Sequence, residues 1–181
     1  LTRGVLERLV SEDSFEKRKN SDIVTLVYPA GLQVVALDVV ILDRKATIED
    51  LRKAGAGLAK KYTNKEVLIL TGSMRNAAEL IQGVALRSYS FQTYKTASEC
   101  TVPKRITVMH NNIEKLKETM QDRLAVTEGV FFTRDLVNEP ANALTTTSFA
   151  ERLQELTQLG LKVEVLEEDQ LAELGMGALL C

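Results

Sequence analysis

The most constraining feature of this chain is an unbroken helical stripe. Ile113, Leu116, Met120, Leu124, Thr127 and Phe131 recur at steps of three and four residues, the spacing of one helix face. The pattern predicts a helix running on to Asn138, about 39 Å long at 1.5 Å per residue. A helix of that length exceeds a crossover in a small sheet and reads as a connector between two bodies. Pro140 stops it, because proline disfavours helix at the residue before it.

The segments on either side differ. Before the connector, strand and helix signals alternate, which predicts an α/β layer fold. Asp22 to Tyr28 alternates and is β-branched. Val34 to Leu42 is almost continuously apolar, broken by Asp38, and reads as a strand buried on both faces, as in a parallel sheet. Thr47 to Lys61 reads as a helix capped by Thr47, with Asp50 completing a capping box and Leu51, Ala54, Leu58 and Ala59 facing in. Glu66 to Leu70 is a short buried strand. A helix capped by Ser73 runs to Ser88, and Lys104 to Met109 is a further strand.

After Pro140, Thr145 to Ser148 offers helix caps, and Phe149, Leu153 and Leu156 line a helix closed by Gly160 in the left-handed region. Leu161 to Leu166 alternates as a strand. Glu168 to Leu174 is a short helix closed by Gly175. These elements read as the beginning of a second domain.

A chain of 181 residues supports one or two domains and buries roughly 70% of its unfolded surface. A net charge of −2 and a pI near 5.6 leave no basic footprint for nucleic acid. Lys17-Arg18-Lys19 reads as a solvated loop. No stretch reaches the ~20 apolar residues of a membrane helix. Leu1 to Val10 carries Arg3, Glu7 and Arg8, unlike a signal peptide. Cys100 and Cys181 lie far apart, which fits a reducing cytoplasm, and no disulfide between them is expected. His110 is the one histidine, which excludes a histidine-based zinc site within the chain. The start at Leu1 and the apolar run Met176 to Cys181 read as ends cut from a longer protein.

Few residues invite chemistry. Gly55-Ala56-Gly57 resembles part of a phosphate loop but sits inside a helical pattern, where close helix packing is the better reading. Thr71-Gly72-Ser73 lies between a strand and a helix start, where free N–H groups attract anions, but a plain cap is the better reading. Tyr89, Phe91 and Tyr94 lack a basic patch and read as packing. His110 reads as a loop residue without a placed partner, and Cys100 has no partner for a nucleophile arrangement. Glu167-Glu168-Asp169 opens a helix, where negative charge is favoured.

The stretch Phe131 to Leu144, FFTRDLVNEPANAL, resembles the junction of leucyl (cytosol) aminopeptidases, where the connector helix meets the catalytic domain. The likeness continues through Phe149-Ala150-Glu151 and Leu174 to Leu180, and upstream through Gly83, Leu86, Tyr89, Phe91, Tyr94 and Lys95. It implies an α/β domain similar to macro domains over residues 1–111, a connector over 112–140, and the start of the catalytic domain over 141–181. It further implies an N-terminal portion of an enzyme that removes N-terminal residues from peptides, cytoplasmic and homo-hexameric. Two divalent metals, zinc or manganese or magnesium, would be held by a lysine and carboxylates in motifs beyond Cys181. None of those motifs maps onto this chain, so no catalytic, cofactor-binding or metal residue is expected in it. Arg134, Asn138, Pro140 and Asn142 map onto the junction, where their role is to shape the turn. One departure stands out: Val34 to Leu42 runs into Asp43-Arg44-Lys45 where the family has a glycine-rich turn. The alternative reading is a macro-like nucleotide- or DNA-binding module, against which the acidic balance speaks.

Overall fold

The computed structural model describes residues 4–12, 15, 17–96 and 102–180. The chain is mixed α/β and divides into two compact units, Leu1–Phe132 and Thr133–Cys181.

The first unit opens with a short helix α1 (Val5–Val10), followed by β1 (Ile23–Val27) and β2 (Ala36–Val40). These two strands pair antiparallel, from Ile23 opposite Val40 to Val27 opposite Ala36. The expected parallel strand, buried on both faces, is therefore a half-buried hairpin arm. The short connection permits this, since only antiparallel neighbours can be joined without a long crossover. The Tyr28 N–H donates to the Val35 carbonyl at 2.9 Å and closes the hairpin end.

Helix α2 (Ile48–Lys61) starts as the sequence predicts. The Asp50 N–H donates to Thr47 Oγ1 at 3.2 Å, and the Thr47 N–H donates to Asp50 Oδ2 at 3.0 Å. The Thr47 N–H and the Thr47 hydroxyl both donate to Asp50 Oδ2 and hold that carboxyl below its ordinary range. Strand β3 (Glu66–Gly72) and strand β4 (Arg105–His110) pair in parallel, Glu66 opposite Arg105. Helix α3 (Ala77–Arg87) makes the crossover between them. Its N-cap is Asn76, with no side-chain cap bond, and not Ser73. The cap moved because β3 extends to Gly72, and the Met74 N–H donates to the Thr71 carbonyl in a turn.

The core lies between this sheet and its helices. Ala54, Leu58 and Ala59 of α2 meet Ile69 of β3 and Leu80 and Val84 of α3. Helices α2 and α3 cross at backbone distance. A β-carbon at Gly55 would overlap the Leu80 carbonyl and lie 2.9 Å from the Val84 nitrogen; one at Gly83 would lie 2.7 Å from the Arg52 α-carbon. Gly55 is thus a helix contact, as expected of the glycine pattern, whereas Gly57 faces Ile23 of β1.

Helix α4 (Ile113–Asn138) ends where the sequence pattern predicts. Its buried stripe differs. Leu116 and Thr127 are buried, but Leu124 is 45% exposed. The inward position beside it belongs to Arg123, drawn in by a carboxylate on α3.

The second unit holds α5 (Thr146–Glu155), a 3-10 turn Leu156–Leu159, and α6 (Glu168–Glu173). Gly160 takes φ 85° and Gly175 φ 69°, as the sequence predicts for residues that end helices. Leu161 to Leu166 belongs to no sheet. A strand needs a ladder partner, and none exists among the described residues of this unit. None of its described residues is fully buried. Among the described residues, no helix is long and apolar enough to cross a membrane.

Candidate functional site

The junction residues gather where α4 ends. The Asn138 side chain donates Nδ2–H to the Arg134 carbonyl at 2.8 Å, within the last turn. Pro140 lies one residue beyond the end of α4, after Glu139, and its carbonyl accepts from the N–H groups of both Ala143 and Leu144 at 2.9 Å. Asn142 is exposed within that turn. Thr145 then caps α5: the Ser148 N–H donates to Thr145 Oγ1 at 3.2 Å, and Ser148 Oγ donates to the Ala143 carbonyl at 2.9 Å.

Sequence reading missed the strongest tie here. Arg152 of α5 donates to Glu139 Oε1 at 2.8 Å, and the Glu139 side chain is only 5% exposed. A buried carboxylate of this kind holds one geometry, because an unpaired charge in its place is costly. Glu139 sits inside the NEPANAL stretch, but nothing local marks it for burial. Its partner lies 13 residues on, across the turn.

A second polar cluster ties the hairpin to α2. Lys61 Nζ donates to Asp38 Oδ1 at 2.7 Å and also bonds Thr25 Oγ1. Burial pushes the Asp38 carboxyl up, but hydrogen bonds from Lys61, Tyr62 and Thr25 outweigh it and hold the group below its ordinary range. Burial, with Asp38 beside it, raises the Tyr62 phenol. Asp38 was the break in an apolar run, and that interruption was the available signal.

At the carboxyl ends of β3 and β4, Thr71 Oγ1 donates to the Met109 carbonyl at 3.0 Å. His110 Nδ1 lies 3.0 Å from the same hydroxyl. With the hydroxyl proton committed to Met109, the ring nitrogen meets it as a donor. His110 is therefore the last residue of a strand with a side-chain partner, not the unpartnered loop residue expected. The aromatic residues serve packing: Tyr89 meets Phe131 at 5.2 Å between ring centroids, and Phe91 meets Tyr94 at 5.8 Å. Lys17, Arg18 and Lys19 are exposed, as a solvated loop should be. Glu167 caps α6 through a box with Gln170, so the acidic run opens a helix. Cys100 and Cys181 lie outside the described residues.

Among the described residues, no group of three or more His, Cys, Asp or Glu side chains is placed to hold a metal ion. The carboxylates that are buried are taken by arginine or lysine. This donor set, among the described residues, does not fit a two-metal centre.

Three kinds of likeness bear on these features. A profile of the catalytic domain of the cytosol aminopeptidase family matches residues 131–181, which begin inside α4 and include the junction. A probable cytosol aminopeptidase of Cereibacter sphaeroides is 43% identical over 180 residues, covering 99% of this chain and 37% of that protein. One of Dinoroseobacter shibae is 47% identical over the same length and coverage. Among solved structures, a mutant of tomato leucine aminopeptidase aligns over 96% of this chain and 37% of its own, with a TM-score of 0.71 and 22% identity. The bottromycin maturation enzyme BotP, in complex with Mn, aligns over 95% of this chain and 37% of its own, with a TM-score of 0.67 and 23% identity. At that identity the two structures speak for the fold alone. The chain spans little more than a third of the length of these relatives, and along nearly all of its own length it belongs to the cytosol (leucyl) aminopeptidase family.

Proposed function

We propose that this chain is the N-terminal portion of a two-metal aminopeptidase, and that it contributes architecture and not chemistry. The observation that carries the reading is the match of 43% and 47% identity, over 99% of the chain, to proteins named as probable cytosol aminopeptidases. The whole protein then removes N-terminal residues from peptides in the cytoplasm. Its two divalent metals, zinc or manganese, are held by sequence other than residues 1–181. In that role metal ions activate water and polarise the scissile carbonyl.

In this reading residues 1–111 form the non-catalytic, macro-like domain, 112–140 the connector, and 141–181 the start of the catalytic domain. The first domain serves assembly of a homo-hexamer. Arg134, Asn138, Pro140 and Asn142 shape the turn into the catalytic domain, with Glu139 and Arg152 holding it. Support comes from the exposed apolar side chains of the second unit. Leu174, Leu179 and Leu180 are all more than 40% exposed, a surface suited to burial by further sequence of the catalytic domain.

The test compares two lengths. A protein as long as the relatives should hydrolyse leucine-p-nitroanilide with added manganese or zinc, and residues 1–181 alone should not. The short chain should also self-associate in sedimentation. Metal-dependent, chelator-sensitive turnover by the pure 181-residue chain overturns the reading, with Glu167, Glu168 and Asp169 the first residues to substitute. The alternative, a nucleotide- or DNA-binding module, is tested by titration with ADP-ribose and with duplex DNA at low salt. The absence of clustered Lys and Arg speaks against the DNA arm.

A further inference from the structure

The described polar residues that are buried over the whole residue, backbone included, lie in one place. Glu79, Gln82 and Thr127 are 5%, 2% and 3% exposed, and all three sit where α3 faces α4. Glu79 is shared between two helices. Its Oε2 accepts from Arg52 of α2, at 3.0 Å from Nε and 2.8 Å from Nη2. Its Oε1 accepts from Arg123 of α4, at 2.7 Å from both Nε and Nη2. The Arg123 carbonyl in turn accepts from Gln82 Nε2 at 3.2 Å and from Thr127 Oγ1 at 2.7 Å.

The described apolar contacts of α4 with the rest of the first unit flank this point. Leu116 and Met120 pack near its start, and Phe131 meets Tyr89 near the unit boundary. Between them Leu124 and Val126 are exposed, 45% and 54%. The middle of α4 is thus held by Arg123 and the bonds around it.

A buried carboxylate that loses its sole partner is strongly penalised. Glu79 has two partners on different helices, so the loss of Arg123 leaves Arg52 in place. We propose that Glu79 is the seat of a latch. Arg123 fastens the middle of α4 in one rotational setting. Arg52 keeps Glu79 paired when Arg123 lets go, so α4 opens locally while the α2–α3 layer stays folded.

Native-state amide exchange across residues 121–129 tests this, with global stability measured alongside by urea denaturation. Arg123→Met should raise the α4 opening constant at least tenfold and leave amides of α2 and α3 within twofold. Arg52→Met should act in the opposite direction on α4. It should lower the local opening constant at least threefold, because opening would then strand Glu79, even as the urea midpoint falls. The arginine side chains are 41% and 34% exposed, so neither substitution inserts bulk into the core. Arg123→Lys, which keeps the charge and loses the paired N–H fork, should fall between wild type and Arg123→Met and stands in if the latter fails to fold. Faster α4 opening in Arg52→Met, or an equal loss of protection in all three helices with Arg123→Met or Arg123→Lys, overturns the latch.

Discussion

Helix α3 makes two contacts of opposite character. Against α2 it has no room: Gly55 and Gly83 bring backbone to backbone, and Leu80, Val84, Ala54 and Leu58 close the space around them. Against α4 it reaches out with long side chains, Glu79 and Gln82, to Arg123. The first contact is set chiefly by shape, with the Arg52–Glu79 pair beside it. The second adds charge and hydrogen-bond geometry to a small apolar cluster of Ala77, Ala78 and Leu116, and its polar part gives orientation more than cohesion. Two neighbours of one helix are thus held by forces that respond to different perturbations.

The sharpest way to break the first contact is Gly55→Val. The new side chain would drive into the Leu80 carbonyl, which cannot move without shifting α3. A loss of about 3 kcal/mol or more is expected, seen as failure to fold or a large fall in the urea midpoint. A tolerated Gly55→Val would mean that the helices are not in backbone contact.

The charge-built tie between the hairpin and α2 should cost less. Asp38→Asn is expected to remove about 2 kcal/mol at neutral pH, the scale of hydrogen bonds to a charged group. The pH dependence gives the sign. The folded Asp38 carboxyl titrates below its unfolded value, so its stabilisation is present above roughly pH 4 and is lost as pH falls through the folded value. The difference between wild type and Asp38→Asn should therefore shrink on acidification from pH 6 towards pH 3. A constant difference would show that the charge is not the source.

Thr127→Val tests the polar side of the second contact at small scale. The hydroxyl bond to the Arg123 carbonyl disappears, but Gln82 still serves that acceptor. About 1 kcal/mol is expected, and a neutral outcome would assign the contact to packing. Leu124→Asp and Gln121→Asp should be smallest and alike, within about 0.5 kcal/mol, because both positions are exposed. A large loss with Leu124→Asp alone would restore an apolar stripe through Leu124.

What the sequence disclosed, and what it hid, follows the same division. The Thr47 box, the ends at Gly160 and Gly175 and the length of α4 depend on neighbours within a few residues. Local chemistry announces them. The rotation of α4 is not local. Arg123 and Leu124 are adjacent on the helix, and the one that faces inward is chosen by Glu79, 44 residues earlier. The apolar run around Asp38 signalled burial but carried no information on strand direction, which the short hairpin connection settled. Leu161 to Leu166 alternates correctly, yet alternation supplies only one side of a ladder. At the junction the stop at Pro140 was readable, whereas the Glu139–Arg152 pair required the turn itself to bring its members together.

The sharing of Glu79 also fixes an order of events on the ribosome. Domains emerge and fold from the N-terminus. Arg52 precedes Glu79 by 27 residues, and Arg123 follows it by 44. When α3 leaves the exit tunnel its acid therefore already has a cation in the nascent chain, and it need not wait unpaired for the second. The nascent α2–α3 layer can pair that charge before the long helix has emerged, so the helix arrives to an acid already held.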